Sequence, residues 1–395
     1  MILEYIHPDG SKEVVELNLE QEISQGWVDI KSNSKIEFIK KFLPAYNSGQ
    51  KLVLFDINHK QLLDFFQNND IDKLEHISKL NEKQQILFFT SGTSGFPLGA
   101  FKSKENLEKE VQVLSDLIKE YKIKRVVVTV PFVHIYGVLA GLLLPLYLSD
   151  IKLVVKDDFL PYELLDEALL DNTLVITTPV FIKALSQLNE SKNLSSNLFV
   201  SSTGPLHKDD IVLFETKYSA NLLQLFGSTE TGGISYKLSS SNIWKAMPLV
   251  NISVIDEKLN VASPFVSEYI LGNEIAPLLQ PFQTEDIVEI DGDEFSLLGR
   301  SNKLIKIAGK RISALQIELL LEDIPQINKA IVTIIYKKEL LRSEQILVTL
   351  ESSEAINKHI IKNKISERYG TLTIPFSIKY VDEINYSSMG LKVLF

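Results

Sequence analysis

Between about residues 86 and 227 the chain repeats one pattern. Short β-branched, aliphatic or aromatic runs, "ILFF", "RVVVTV", "IKLVV", "TLVITT", "NLFVSS" and "NLLQLF", are separated by longer stretches with apolar residues at helical spacing. The stretch "SKENLEKEVQVLSDLIKEY" at 103–121 shows the second kind, with charges set between its apolar positions. Such alternation predicts an α/β fold with a largely parallel sheet. Ligands of such sheets gather at the carboxyl ends of the strands. The loop "TSGTSGFPLG" at 90–99 lies in that kind of place, expected to follow a strand and precede a helix.

The pattern changes after about residue 232. "NISVID", "SEYILG", "EDIVEID" and "EFSLLGR" are short and bounded by turn signals, so a β-rich subdomain is expected at about 233–300. "SNKLIKIAGKRISALQIELLLEDI" then predicts a strand, a Gly turn and a helix, and the remainder fits a small α+β domain. The expected division is a large domain over 1–301 and a small one over 302–395. With 395 residues, the chain is long enough for two or three domains.

Charge and composition narrow the partners. A formal charge of −10 argues against nucleic acid or an anionic membrane as the main partner. There is no cysteine, which excludes disulfides, thiolate metal sites and a cysteine nucleophile. No run reaches the roughly 18 apolar residues of a membrane helix. "YGVLAGLLLPLYL" at 136–148 is too short and contains Pro145, so a buried helix is expected there. The N-terminus lacks a secretory pattern, which makes a cytoplasmic setting the expectation.

Several motifs carry candidate chemistry. Glycines in the 90–99 loop let backbone N–H groups approach a phosphate, and Ser and Thr add hydroxyl donors. No Gly-Lys-Ser/Thr triplet closes the loop, so it is not a Walker loop. "PFVHIYG" at 131–137 holds His134, which is either a packed structural residue or part of a site. "VSSTGPL" at 200–206 is a strand ending in a Gly-Pro turn. In "LFGSTETGG" at 225–233, Glu230 could ligate Mg²⁺, which takes one or two carboxylates beside phosphate oxygens; alternatively Ser228 or Thr229 caps a helix there. In "TEDIVEI" at 284–290, Asp286 at the start of a strand could accept from a ribose diol or serve a turn. Lys392 stands near the end of the sequence, in "SSMGLKVLF".

In order and spacing, this series resembles the adenylate-forming superfamily of acyl- and aryl-CoA synthetases, adenylation domains and luciferases, from about Leu87 onward. The resemblance implies a large adenylation domain and a small mobile C-terminal lid. It implies that Thr90, Ser91, Gly92, Thr93, Ser94 and Gly95 grip the ATP phosphates. His134 and Gly137 would line the acyl pocket, and Thr203, Gly204 and Pro205 would pack near adenine. In the segment Phe226, Gly227, Ser228, the phenylalanine would stack on adenine. Thr229 would contact the α-phosphate and Glu230 would hold Mg²⁺. Asp286 and Arg300 would bind the ribose, Asn302 would be the hinge, and Gly309 would approach a pantetheine arm. Lys392 matches the catalytic lysine of the adenylation step. The chain departs from the family pattern at Leu98, where lysine is usual and where Lys102, four residues on, could supply some of the lost charge; at Glu285, where glycine is usual; at Asn302, usually acidic; and at Leu391, which separates Gly390 from Lys392.

The implied function is ATP-dependent activation of a small carboxylic acid, then transfer to a pantetheine thiol of coenzyme A or an acyl carrier protein. "PFVHIYG" lacks the carboxylate that would pair with a substrate ammonium, and an unpaired ammonium in an apolar site is costly. An aryl or fatty acid is therefore expected rather than an amino acid. The rival reading is a non-catalytic relative that binds nucleotide or acyl ligand. The region before the loop is short for the family, so residues 1–85 or a partner would supply a wall of the acyl site.

Overall fold

The computed structural model describes residues 1–57, 62, 64, 80, 83–89, 98–239, 241–272, 274–301, 304–307, 310–336, 344–370, 375–386 and 392–393. The chain forms two compact units. One comprises 1–241, 245–251 and 261–282; the other comprises 242–244, 252–260 and 283–395.

The six apolar runs are strands of the first unit. Its main sheet has the order Gly232–Leu238, Asn221–Ser228, Leu198–Ser201, Thr173–Thr177, Arg125–Val128, Lys152–Val155, Ile2–Ile6, Lys12–Val15. From Asn221–Ser228 to Ile2–Ile6 every neighbouring pair is parallel. Helices cover these strands, and Phe214 and Tyr218 of the helix Lys208–Tyr218 bury against Val127, Val175 and Phe199. A buried apolar face on each such helix is what stabilises the layers.

A second sheet of the same unit runs Ile275–Pro277, Tyr269–Leu271, Gly99–Ser103, Gln84–Phe89, Lys51–Leu54, Trp27–Ile30. Here one expectation is corrected. The segment after the 90–98 stretch is not directly helical: Gly99–Ser103 is a strand antiparallel to Gln84–Phe89, with Phe89 opposite Gly99. Ala100 and Phe101 are wholly buried, and pairing on both sides of this strand holds it extended. The expected helix starts afterwards, at Lys104–Ile118, where Ser103 accepts from the Asn106 N–H and Asn106 returns the bond.

Residues 1–57 contribute to both sheets. Ile2–Ile6 pairs with Lys152–Val155, whereas Trp27–Ile30 and Lys51–Leu54 enter the second sheet. Between them the helix Lys35–Ser48 carries Phe38, Phe42 and Tyr46 four residues apart on one face. Their rings stack with centroids 5.4 Å and 5.6 Å apart.

In the second unit the strands Asn251–Ile255, Lys258–Ala262, Phe282–Asp291 and Glu294–Arg300 lie side by side. The last two form an antiparallel hairpin with a register shift at Ile287/Val288. The C-terminal part places the helices Ala314–Glu322 and Lys358–Tyr369 with a sheet of Ile327–Tyr336, Glu344–Ser352 and Phe376–Val381. Ile317, Leu321, Val348, Leu350 and Ile361 form its core. No helix among the described residues is long and apolar enough to cross a membrane. The expected helix at 136–148 is present as Ile135–Val138, a wide π segment Leu139–Leu143, and Leu144–Leu148. Pro145 has no N–H to give to an i−4 carbonyl, which accounts for an interrupted α ladder here.

Candidate nucleotide and acid site

Parallel pairing aligns the carboxyl ends of the first unit's strands, and the candidate residues follow from that register. Ser201 lies opposite Gln224, so the turn of Thr203, Gly204 and Pro205 emerges beside Phe226, Gly227 and Ser228. The Ser202 hydroxyl fixes this by donating to the Leu225 carbonyl at 3.0 Å. Thr203 takes a positive φ of 80°, a conformation that costs a residue with a Cβ on the order of 1 kcal/mol or more. Two strands away, Thr129 Oγ1 bonds Thr177 Oγ1 at 3.1 Å, closing the same edge of the sheet. His134 follows, half-buried at the N-cap of Ile135–Val138. The next residue but one, Tyr136, donates its hydroxyl to the carbonyls of Val200 at 2.8 Å and Thr177 at 3.2 Å. Burial holds that phenol well above its ordinary range, so it stays a neutral donor tying this helix to the sheet.

No helix follows Ser228, so the capping reading of Ser228 and Thr229 does not hold. Asn221–Ser228 turns directly into the antiparallel strand Gly232–Leu238. The turn is closed by its own hydroxyls: Thr231 Oγ1 accepts from the Ser228 N–H at 3.1 Å, and Ser228 Oγ accepts from the Thr231 N–H at 3.2 Å. Thr231 is fully buried, which leaves Thr229 and Glu230 half-exposed on the turn.

Two residues support this turn from behind, and sequence reasoning gave one of them, Lys102, a different role and missed the other. Lys102 has no exposed surface, and its ammonium donates to the carbonyls of Glu230 at 3.1 Å and Phe265 at 2.5 Å. Glu110, 4% exposed, accepts the Gly233 N–H at 2.7 Å. Burial lowers the Lys102 ammonium from its ordinary value and raises the Glu110 carboxyl from its own, and the attraction between them opposes both shifts. A trace of Glu110 was legible: it falls on the same helix face as Leu107, Val111 and Leu114, where a carboxylate is out of place. Lys102 was legible only as a cation that could supply charge to the loop; its ammonium is instead buried against the Glu230 and Phe265 carbonyls.

In the second unit, Asp286 and Arg300 are cross-strand partners, with Arg300 Nε 3.8 Å from Asp286 Oδ1. Asp286 sits inside the strand Phe282–Asp291 rather than at its start. Its side chain is 15% exposed and that of Arg300 56%. The neighbouring Glu285, which replaces the family's usual glycine, accepts from Ser301 and from Lys258 at 2.9 Å. Those two bonds hold its carboxyl below the usual range. Lys392 pairs with Tyr386 across a short antiparallel ladder. Its ammonium donates to Glu322, to the Ala330 carbonyl at 3.1 Å and to Glu318 at 3.5 Å.

Thr90, Ser91, Gly92, Thr93, Ser94 and Gly95 lie outside the described residues, as do Asn302 and Gly309. Leu98 is described and is 37% exposed. Among the described residues no three His, Cys, Asp or Glu side chains group to hold a metal. Glu230 still suits Mg²⁺, which needs only one or two protein carboxylates when phosphate oxygens and water complete its shell.

Comparison with known proteins bears on the family and the fold. A model of the AMP-binding enzyme family matches residues 32–266. The chain is 24% identical over 365 residues to the protein named "Putative long chain fatty acid-CoA ligase VraA" of Staphylococcus aureus (strain COL), covering 87% of this chain and 76% of that protein. The fold is similar to that of ATP-bound MatB from Rhodopseudomonas palustris, with a TM-score of 0.78 at 16% identity over 98% of this chain and 93% of that one. It is also similar to O-succinylbenzoate coenzyme A synthetase (MenE) from Bacillus subtilis in complex with ATP and magnesium ion. There the TM-score is 0.74 at 16% identity, over 93% and 88% of the two chains.

Proposed function

The chain belongs to the AMP-binding enzyme family, and we propose that it is an ATP-dependent acid–thiol ligase working through an acyl-adenylate. The observation that carries this reading is the meeting of the Thr203–Pro205 turn and the Phe226–Glu230 segment at the carboxyl ends of adjacent parallel strands.

In the first step a carboxylate oxygen attacks the α-phosphorus of ATP. The bond from that phosphorus to the bridging oxygen breaks, and pyrophosphate leaves with the electron pair. In the second, a thiol attacks the acyl carbon of the mixed anhydride and AMP leaves with the pair, the thiol proton passing to solvent. Phe226 stacks on adenine against Thr203, Gly204 and Pro205. Thr229 donates to the α-phosphate, and Asp286 and Arg300 bind the ribose. Glu230 would hold Mg²⁺, which would supply positive charge to the phosphates. Residues 90–95 grip those phosphates, and Lys392 offsets the charge that develops at phosphorus. Residues 302–395 act as the lid domain of this scheme, with Asn302 as its hinge.

His134 lines the acid pocket. Around it Phe132, Val133 and Tyr136 are buried, and no carboxylate stands in 131–137. That favours an aryl or fatty acid, in keeping with the name of the staphylococcal relative. Coenzyme A and an acyl carrier protein present the same thiol, so both are candidate acceptors. A second reading, a ligand-binding relative without turnover, is favoured by Leu98 and by the engagement of Lys392 with Glu318 and Glu322.

Acid-dependent exchange of labelled pyrophosphate into ATP separates the two. Exchange is expected with fatty or aryl acids and not with amino acids; ATP binding without exchange for any acid would leave the second reading. Glu230→Gln is expected to raise the Mg²⁺ concentration needed for half-maximal exchange about tenfold. An unchanged requirement would remove Glu230 from the metal site.

A further inference from the structure

We propose that Lys102 and Glu110 are positioning residues for the nucleotide metal, a buried pair of opposite charge that sets the Glu230 turn from behind. The inference rests on the adenylation reading of Glu230 and adds two residues that touch neither ATP nor metal. The turn is held at both ends. Its Glu230 carbonyl accepts from Lys102 Nζ at 3.1 Å and from the Ser267 N–H at 2.8 Å. Three residues on, the Gly233 N–H donates to Glu110 Oε1. The fit is close enough to exclude a side chain between them. Gly232 has φ +69°, and a Cβ there would lie 2.5 Å from Glu110 Oε2 and 2.9 Å from Phe265 Cβ.

Lys102 joins three pieces of chain. It stands on the strand Gly99–Ser103, which leads out of the 90–98 stretch, and it fastens the peptides of Glu230 and Phe265 to that strand. Asn106, one turn into the following helix, adds a bond to the Pro264 carbonyl at 2.7 Å. Glu110 stands one further turn along the same helix. The turn that carries the carboxylate expected to hold the metal is thus braced by one strand–helix corner.

Stability alone does not call for this arrangement. Two buried opposite charges are often no more stabilising than apolar side chains of the same volume, because both lose their hydration. What the pair supplies is direction: one charge aimed at the Glu230 carbonyl within the turn and the other at the Gly233 N–H just beyond it. A residue that aims a metal ligand acts on metal affinity, typically about tenfold or more when removed.

The test is calorimetric titration of the intact chain with ATP, in Mg²⁺ and in EDTA. Wild type should bind ATP more tightly with Mg²⁺. Lys102→Met is expected to reduce that magnesium-dependent gain about tenfold while leaving ATP affinity in EDTA within about twofold. Because that substitution leaves Glu110 without its counter-charge, the doubly neutral Lys102→Met/Glu110→Gln is measured too, with the same expectation. In a Glu230→Gln background neither change should have further effect. A variant that keeps the full magnesium gain, or loses affinity equally in Mg²⁺ and EDTA, overturns the positioning role. Wild type that binds no ATP under either condition overturns the adenylation reading itself.

Discussion

Single residues carry more of this structure than their place in the sequence announces. Lys35, 6% exposed, gives its ammonium protons to the carbonyls of Val128, Thr129 and Lys156 at 2.9–3.1 Å. Asp157 accepts the Lys35 N–H at 2.6 Å and the Tyr5 hydroxyl at 3.0 Å. Burial pushes the Lys35 ammonium down to about 8, with Asp157 and Asp158 pulling it partly back. The folded value lies below the ordinary 10.5. Between those two values the unfolded chain binds a proton that the folded chain has released, so stability rises with pH across that window. The unfolding free energy of wild type minus that of Lys35→Met is expected to grow by roughly 2 kcal/mol from pH 8 to pH 10. Urea denaturation at the two pH values measures it, and a flat difference would mean that Lys35 titrates as an exposed lysine does.

Elements were legible where local pattern decides them. The six apolar runs became strands within a residue or two, and "SKENLEKEVQVLSDLIKEY" became a helix behind a Ser103–Asn106 capping box. What local pattern does not decide was read less well. Gly99–Ser103 is a strand because it pairs on both sides with distant segments, Gln84–Phe89 and Tyr269–Leu271, and no window of its own sequence shows that. Glu230 and Asp286 stood out as carboxylates in turn-rich motifs, whereas Lys102 was legible only as a charge near the loop and Glu110 as a break in periodicity, because both make their contacts with backbone atoms distant in sequence. The helix beginning at Ile135 shows how tightly an element can be set. A Cβ on Gly137 would fall 2.1 Å from the Pro131 carbonyl oxygen. Alanine normally favours a helix over glycine by about 1 kcal/mol. Here Gly137→Ala is expected instead to destabilise by about 2–3 kcal/mol, because backbone rather than a side chain must move. Urea unfolding followed by circular dichroism checks the sign, and a stabilised variant would show that the 131–137 turn yields easily.

At the scale of the molecule, the proposed ligase does two chemistries with one chain, and Lys392 is the residue to test between them. If it serves adenylation, Lys392→Ala lowers pyrophosphate exchange about 100-fold and spares thioester formation from supplied acyl-AMP. If its bonds to Glu318, Glu322 and the Ala330 carbonyl are its main role, both steps fall together with the melting temperature. Connectivity bears on how the molecule comes to exist at all. Ile2 pairs with Lys152 and Tyr5 with Val155, so a strand inside the main sheet is translated about 150 residues before its parallel neighbour. At ribosomal speeds that is a wait on the order of ten seconds. Through that interval Leu3 and Tyr5 have the hairpin partner Lys12–Val15 but lack the parallel strand Lys152–Val155. The nascent chain therefore offers a hydrophobic handle to holdase chaperones early in synthesis, and the sheet closes only when its middle has been made.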